Sequence, residues 1–139
     1  MTDFFVSLIY NYGDWGPLAL RIAVGVIFLV HGVKKFKMWK MQSSDQMPKG
    51  MLNLMRFLSI VEPLGGLAIL AGFMTQLAAV GLGLIMLGAL RFKIFVWKTP
   101  FYMPDKNGWE IDLIILAAVV ALLFIGPGAL SLDWFLGYV

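Results

Sequence analysis

The sequence predicts an all-α integral membrane protein: an antiparallel bundle of four transmembrane helices in a single domain, residues 1–139. Of the 139 residues, 60% are hydrophobic and 14% are charged, with a mean hydropathy of +0.85. An ordinary soluble domain is about half apolar and a quarter charged. The apolar residues fall into segments long enough to cross a bilayer, which places the four spans at approximately 17–35, 52–72, 76–97 and 109–125, with a short C-terminal segment at 129–139.

Composition also excludes several classes of site. The chain has no cysteine, so disulfides, iron–sulfur clusters and thiol chemistry within it are excluded. Its one histidine, His31, cannot build a histidine-rich metal site or supply both axial ligands of a haem. The net charge of +3 sits in short loops beside the spans, so membrane topology explains it better than nucleic-acid binding does.

The N-terminal segment, residues 1–16, is expected to be an interfacial lead-in. It contains no Lys or Arg, whereas a secretory signal begins with a positive region. Its Tyr10, Tyr12 and Trp15 are of the aromatic types found at membrane surfaces.

The first span carries a stripe that is typical of a helix–helix contact. On a helical wheel the stripe consists of Arg21, Gly25, Phe28, Gly32 and Lys35. Two glycines allow close approach of another helix, and His31 lies beside the stripe. The alternative for Arg21 is that it snorkels outward to the membrane surface.

The second span carries the most informative charge, Glu62, near its middle. A central acidic residue costs roughly 2.5 to 3.5 kcal/mol on insertion scales, so we expect Glu62 to face protein. Pro63 follows directly and frees the carbonyl of Ser59. Gly65 and Gly66 flank the azimuth of Glu62 and allow a neighbouring helix to approach. Glu62 is therefore either a structural carboxylate paired inside the bundle or a proton or headgroup site.

The third span has Ala79 and Gly83 at small-residue spacing, and Arg91 and Lys93 near its end. A short uncharged turn, residues 73–76, precedes it and implies antiparallel neighbours.

The fourth span begins with two acids, Glu110 and Asp112, on different azimuths. Glu110 shares its face with small residues such as Ala117, so we expect Glu110 to point inward and Asp112 to lie nearer solvent or to pair with a loop residue. The alternative is that both are acids favoured by the dipole of the first helical turn. Beyond the span, Ser131 is a candidate N-cap.

The distribution of Lys and Arg predicts the orientation. Six lie in or beside the first connection and four in or beside the third: Lys34, Lys35, Lys37, Lys40, Lys49 and Arg56, then Arg91, Lys93, Lys98 and Lys106. Basic loops stay in the cytoplasm, so we expect a multi-pass protein of the cell inner (cytoplasmic) membrane with both termini outside.

Taken in order, these segments resemble the DoxX family of small four-span membrane proteins. The resemblance rests on an early Arg21, HGVKK at 31–35, VEPLGGLAILAG at 61–72 and GPGALSLDWFL at 126–136. Ser131 and Asp133 belong to the last of these motifs, and Glu110, the acidic start of the fourth span, also matches the family pattern. The resemblance implies a four-helix membrane bundle and association with quinol oxidase or thiosulfate:quinone oxidoreductase systems, although wider relatives serve in cargo handling or assembly.

The sequence is compatible with three functions. The first is an accessory subunit of a membrane redox complex that contacts quinone, not catalytic alone; the second is a structural or assembly subunit without chemistry; the third is a carrier of a small lipophilic molecule. No cofactor is encoded by motif, but quinone or lipid fits the pattern. The expected partners are membrane lipids and other membrane-protein subunits. The candidate polar core or quinone-headgroup site comprises Arg21, His31, Lys35, Glu62, Arg91 and Glu110. The expected helix-packing glycines are Gly25, Gly32, Gly65, Gly66 and Gly83.

Overall fold

The computed structural model describes residues 12–139, and the greater part of the expected N-terminal lead-in, residues 1–11, lies outside them. The described part is helical and contains no strand, which confirms the all-helical prediction for these residues. Its helices are α1 (Trp15–Lys35), α2 (Lys49–Ala71), α3 (Thr75–Arg91), α4 (Glu110–Ile125) and the short α5 (Leu132–Phe135).

Three helical segments within residues 12–139 are long and apolar enough to cross a membrane. They are Trp15–Lys40, Lys49–Ala71 and Thr75–Val96, which include the turns that extend α1 and α3. The fourth helix, α4, has 16 residues, which gives it a length of about 24 Å. It is therefore shorter than the roughly 30 Å hydrocarbon core of a bilayer.

The main helix contacts follow chain order. Helix α1 packs most extensively on α2 and α3 on α4, while smaller contacts join α2 to α3 and α1 to α4. The shared core is apolar and is drawn from all four long helices: Val24, Phe28, Ile69, Ala79, Leu82, Met86, Ile115, Val119 and Leu122. This packing sets which polar side chains can meet inside the molecule.

The surface of the helices is more apolar than that of a soluble protein. Leu64, Leu84 and Phe124 are 61%, 65% and 81% exposed, and many other large apolar residues are exposed with them. Soluble monomers rarely expose such extensive apolar surface. With three apolar helices of spanning length, this surface identifies an integral membrane protein whose exposed face contacts lipid.

Glycines lie where the helix backbones approach most closely. A Cβ on Gly32 would fall 2.2 Å from Cδ of Pro63, and one on Gly66 would fall 2.8 Å from the carbonyl oxygen of Gly25. Gly65 faces the other neighbour, where a Cβ would lie 2.8 Å from Leu82. Gly66 therefore allows close contact with α1, and Gly65 allows close contact with α3. Gly83 has more room, because a Cβ there would meet only Val119, at 3.6 Å.

Helix α4 packs by the face opposite to the one expected. Ile115, Val119 and Leu122 are buried, whereas Ile114 and Ala117 are exposed. The prediction that the small-residue face points inward is wrong. The physical reason is that α4 is apolar on every side, so no polar face fixes its rotation, and larger side chains fill the space beside α3.

Candidate functional site

Arg21 is the centre of a hydrogen-bond network at one end of the molecule. Its side chain is buried, with the residue 2% exposed. Nε donates to the carbonyl of Ile69 at 3.0 Å, and Nη2 donates to that of Leu70 at 2.8 Å. Nη1 donates to the carbonyls of Pro127 at 3.1 Å and Leu130 at 2.7 Å. One guanidinium therefore satisfies carbonyls at the C-terminus of α2 and ties α1 to the segment after α4.

Beside it, the turn between α2 and α3 is held by Asp133. Gly72 ends α2 with φ of +66°, and Met74 precedes α3 with φ of +47°. The two carboxylate oxygens of Asp133 accept from the backbone N–H of Met74 at 2.7 Å and of Thr75 at 2.9 Å. The backbone N–H of Asp133 donates to the carbonyl of Gly72 at 2.8 Å. Asp133 thus caps α3 from a distant part of the sequence.

Gly72 cannot be replaced without disturbing this arrangement. A Cβ there would fall 2.5 Å from Cβ of Ser131 and 2.8 Å from Cζ of Arg21, in addition to the strained φ. Ser131 acts as the N-cap of α5, as predicted, because its Oγ accepts from the N–H of Trp134 at 3.2 Å. We call this network, built on Arg21, Gly72, Ser131 and Asp133, the closed end.

The second polar region lies some 21 Å along α1 from Arg21, since Lys35 is fourteen residues further on. Here a partly enclosed cavity of about 110 Å³ opens between the helices. Its polar lining comes from both helix pairs and from the connection before α4: His31, Lys35, Glu62, Lys93, Asn107 and Asp112. Its apolar lining includes Phe28, Met86 and Ile115. We call this region the pocket end.

Two ion pairs border the cavity. Lys35 pairs with Glu62, joining α1 to α2, and Lys93 pairs with Asp112, joining the turn after α3 to α4. Nζ of Lys93 also donates to the carbonyl of Gly108 at 3.2 Å. The Glu62 side chain is only 4% exposed, and its Oε2 has no hydrogen-bond partner among the described residues. Such a group has capacity for a further donor, from water or a ligand.

The structure brings together only half of the expected site. His31, Lys35 and Glu62 line the cavity, and His31 is otherwise exposed. Arg21 belongs to the closed end, Arg91 is exposed at the end of α3, and Glu110 is not among the residues that line the cavity. Oε2 of Glu110 is buried beside the loop at Gly108, without a hydrogen-bond partner among residues 12–139.

Sequence reasoning missed Lys93 and Asp112 as cavity residues. Both fall two residues after the residue that was chosen in their place, Arg91 and Glu110 respectively. On a helix two residues correspond to about 200°, so a wrong rotation exchanges the two candidates. Charge pairing across the connection gave no signal, because Arg91 and Glu110 flank the same connection and also carry opposite charges.

Comparisons with known proteins identify a family and several relatives. A family model described as DoxX matches residues 16–97, which is more than half of the chain and covers α1 to α3. The chain is 32% identical over 125 residues to a Bacillus subtilis protein named "Putative oxidoreductase CatD", with 86% of each chain covered. It is 27% identical over 137 residues to an uncharacterized membrane protein of Mycobacterium tuberculosis, with 91% of this chain and 84% of the relative covered.

A third relative is an uncharacterized protein of Haemophilus influenzae, 27% identical over 114 residues, with 82% of this chain and 85% of the relative covered. No solved structure matches the chain.

Proposed function

The chain belongs to the DoxX family, and from that premise we propose that it is an accessory membrane subunit that contacts quinone within a larger redox complex. The observation that carries the proposal is the cavity at the pocket end, where Lys35–Glu62 and Lys93–Asp112 face a space walled by apolar side chains. The name of the Bacillus subtilis relative, "Putative oxidoreductase CatD", adds support for a redox role.

The cavity has the chemical character that a quinone headgroup requires. Ammonium groups donate to carbonyl oxygens, carboxylates accept from hydroxyls, and apolar walls contact a ring. The imidazole of His31 can donate and accept hydrogen bonds, so it can contact a carbonyl or a hydroxyl of the ring. At about 110 Å³ the cavity is smaller than the ~150 Å³ cavity that accepts benzene in another protein. Part of a quinone ring and all of its tail would therefore lie outside it.

A bound quinone supplies electron and proton transfer chemistry, while this chain supplies the surroundings. His31, Lys35 and Glu62 would hold the polar edge of the ring from α1 and α2, and Lys93 and Asp112 from the opposite helices. Electrons would come from a partner subunit, so the chain is not proposed to be an enzyme alone.

The proposed setting is an antiparallel bundle of four spans in the cytoplasmic membrane, with α4 as the fourth span and both termini outside. Support comes from the order of helix contacts and from the basic first and third connections. Because α4 has only 16 residues, its span would be completed by local thinning of the bilayer or by the polar residues that flank it.

The test is quinone retention by the purified protein. We expect gentle detergent or nanodisc purification, followed by intact-complex mass spectrometry and lipid extraction, to recover quinone together with haem- or flavin-bearing subunits. Glu62→Gln and His31→Ala should each lower the quinone retained per folded protein about tenfold or more. Asp105→Asn is the matched control, because Asp105 is an exposed acid outside the cavity lining. Recovery of a complex without any redox cofactor or quinone would refute the proposal.

A structural or assembly role is the second candidate, and the closed end favours it. There, Arg21, Ser131 and Asp133 all bond to the protein's own backbone, so their presence needs no ligand. A partner-binding test by enlarging Gly65 or Gly66 would fail, because both glycines pack inside the molecule. Gly83→Leu is the better variant, since Gly83 borders an apolar groove between α3 and α4. Loss of a non-redox partner with the fold retained would support this role.

A further inference from the structure

The segment that follows α1 is a short 3₁₀ turn, Phe36–Lys40, with an ordered row of lysines. In a 3₁₀ helix the side chains at i and i+3 eclipse one another. Lys37 and Lys40 therefore lie in one row, and Lys34, three residues earlier, continues it approximately. Phe36 and Trp39 form a second row beside the first, and they are 47% and 52% exposed.

The lysines of this row are free to bind an anion. Lys34, Lys37 and Lys40 are exposed, and none of their side chains forms an ion pair or hydrogen bond within the described range 12–139. The only acid in the connection to α2 is Asp45. The row is therefore an unneutralised cationic surface, beside aromatic side chains that favour the membrane interface.

The turn is fixed to α2. Nε1 of Trp39 donates to Oγ of the buried Ser59 at 2.9 Å. Nε and Nη2 of Arg56 donate to the carbonyls of Met38 at 3.2 Å and Met41 at 2.9 Å, and the guanidinium lies 5.8 Å from the centre of the Trp39 ring. Lysines that only orient a protein in the membrane do not need a turn that is held in place by hydrogen bonds. A binding surface does benefit, because preorganisation lowers the entropy cost of binding and so raises the affinity.

The depth of the turn matches that of lipid headgroups. The continuous segment Trp15–Lys40 has 26 residues, which corresponds to about 40 Å. The hydrocarbon core is roughly 30 Å thick, so one end of this segment extends past it. Trp39 and the lysines mark the C-terminal end as the one in the headgroup layer.

We propose that the row Lys34, Lys37 and Lys40 is a docking surface for the phosphate-bearing headgroup of an anionic phospholipid. The phosphate binds to the ammonium groups of the lysine row, and the acyl chains lie along Phe36 and Trp39. Lys35, in the same segment, instead faces the cavity and pairs with Glu62, so the docked lipid lies beside the pocket end without occupying it.

The experiment measures lipid retention by native mass spectrometry after adding phosphatidylglycerol or phosphatidylcholine to the delipidated protein. Each Lys or Arg near a membrane contributes about fivefold to the binding of anionic lipid. We expect Lys37→Gln/Lys40→Gln to weaken retention of phosphatidylglycerol about 25-fold and to leave phosphatidylcholine unchanged. The matched control is Lys98→Gln/Lys106→Gln, which removes two exposed lysines from the third connection and should have little effect. Lys37→Arg/Lys40→Arg should retain the lipid.

Two results would overturn the proposal: equal loss in the test and control pairs, which would indicate a general charge effect, or equal retention of both lipids by the wild-type protein. If the glutamine pair does not fold, the single variants Lys37→Gln and Lys40→Gln are compared with Lys98→Gln and Lys106→Gln. Each of the first two should weaken retention of phosphatidylglycerol about fivefold, and losses no larger than those of the control variants would overturn the proposal.

Discussion

The closed end and the pocket end both gather buried or half-buried polar groups, but they use them differently. At the closed end, Arg21 and Asp133 bond to backbone carbonyls and N–H groups, which any sequence would present at those helix termini. At the pocket end, Lys35, Glu62 and their counterparts bond to other side chains around a cavity.

This difference separates polar groups that folding explains from polar groups that it does not explain. Backbone groups at helix ends are obligatory partners, so the closed end is explained by folding alone. Side-chain pairs beside a cavity are not required by the backbone, and a partly buried ion pair contributes weakly to stability. We therefore expect substitutions at the closed end to change stability and substitutions at the pocket end to change binding.

The strongest test of this contrast is Arg21→Ala. It removes four hydrogen bonds from a buried charged donor and leaves carbonyls of α2 and of the segment after α4 without partners. We expect the free energy of unfolding to fall by about 3–5 kcal/mol. Thermal unfolding in detergent, followed by circular dichroism, measures the change. Arg91→Ala, at an exposed arginine, should stay within about 0.5 kcal/mol of wild type; similar losses in both variants would contradict the assignment.

Next in size is Gly32→Ala, at the contact between α1 and α2. The new Cβ would meet the ring of Pro63 at 2.2 Å, so α1 and α2 must separate. We expect a loss of about 1–3 kcal/mol from overpacking. Gly81→Ala, where nothing lies within 4 Å of the added carbon, should instead be neutral or stabilise by up to about 1 kcal/mol. Urea or thermal unfolding of the pair compares them directly, and equal stabilities would show that the helices are not in close contact here.

Asp133→Ala should have a smaller effect. It removes the cap from the N–H groups of Met74 and Thr75 at the start of α3. A lost N-terminal cap costs about 1–2 kcal/mol. Hydrogen exchange at these two amides should be faster in Asp133→Ala than in the control variant Asp105→Ala. The control alters an exposed acid in the third connection. Unchanged protection of both amides would mean that Asp133 does not cap the helix.

The smallest change in stability is expected for Glu62→Gln. The amide keeps the shape and an acceptor for Lys35, and that lysine side chain remains 24% exposed and hydrated, so the loss should be about 1 kcal/mol or less. Quinone retention should nevertheless fall in this variant, while the folded fraction of Arg21→Ala should retain quinone as wild type does. Unfolding and quinone retention are measured in parallel for the two variants. If each variant lost both stability and quinone retention, the distinction between the closed end and the pocket end would be rejected.

Much of the fold could be predicted because lipid imposes simple rules. A chain in hydrocarbon must satisfy its backbone hydrogen bonds within helices, so apolar segments of about 20 residues identify α1, α2 and α3 directly. The stripe on α1 was also informative, since Arg21, Gly25, Phe28 and Gly32 are all buried. The candidate site was predicted only in part, at His31, Lys35 and Glu62.

The sequence alone determined the membrane class, the helical segments and the presence of a costly carboxylate at position 62, because composition and periodicity are local properties. Only the tertiary structure decided which polar groups meet. Arg21 bonds to carbonyls 48 to 109 residues away, and Asp133 caps a helix that begins 58 residues earlier. Helix α4 turned Asp112 rather than Glu110 toward the cavity because its rotation depends on packing against α3, and an evenly apolar helix carries no local signal of that choice.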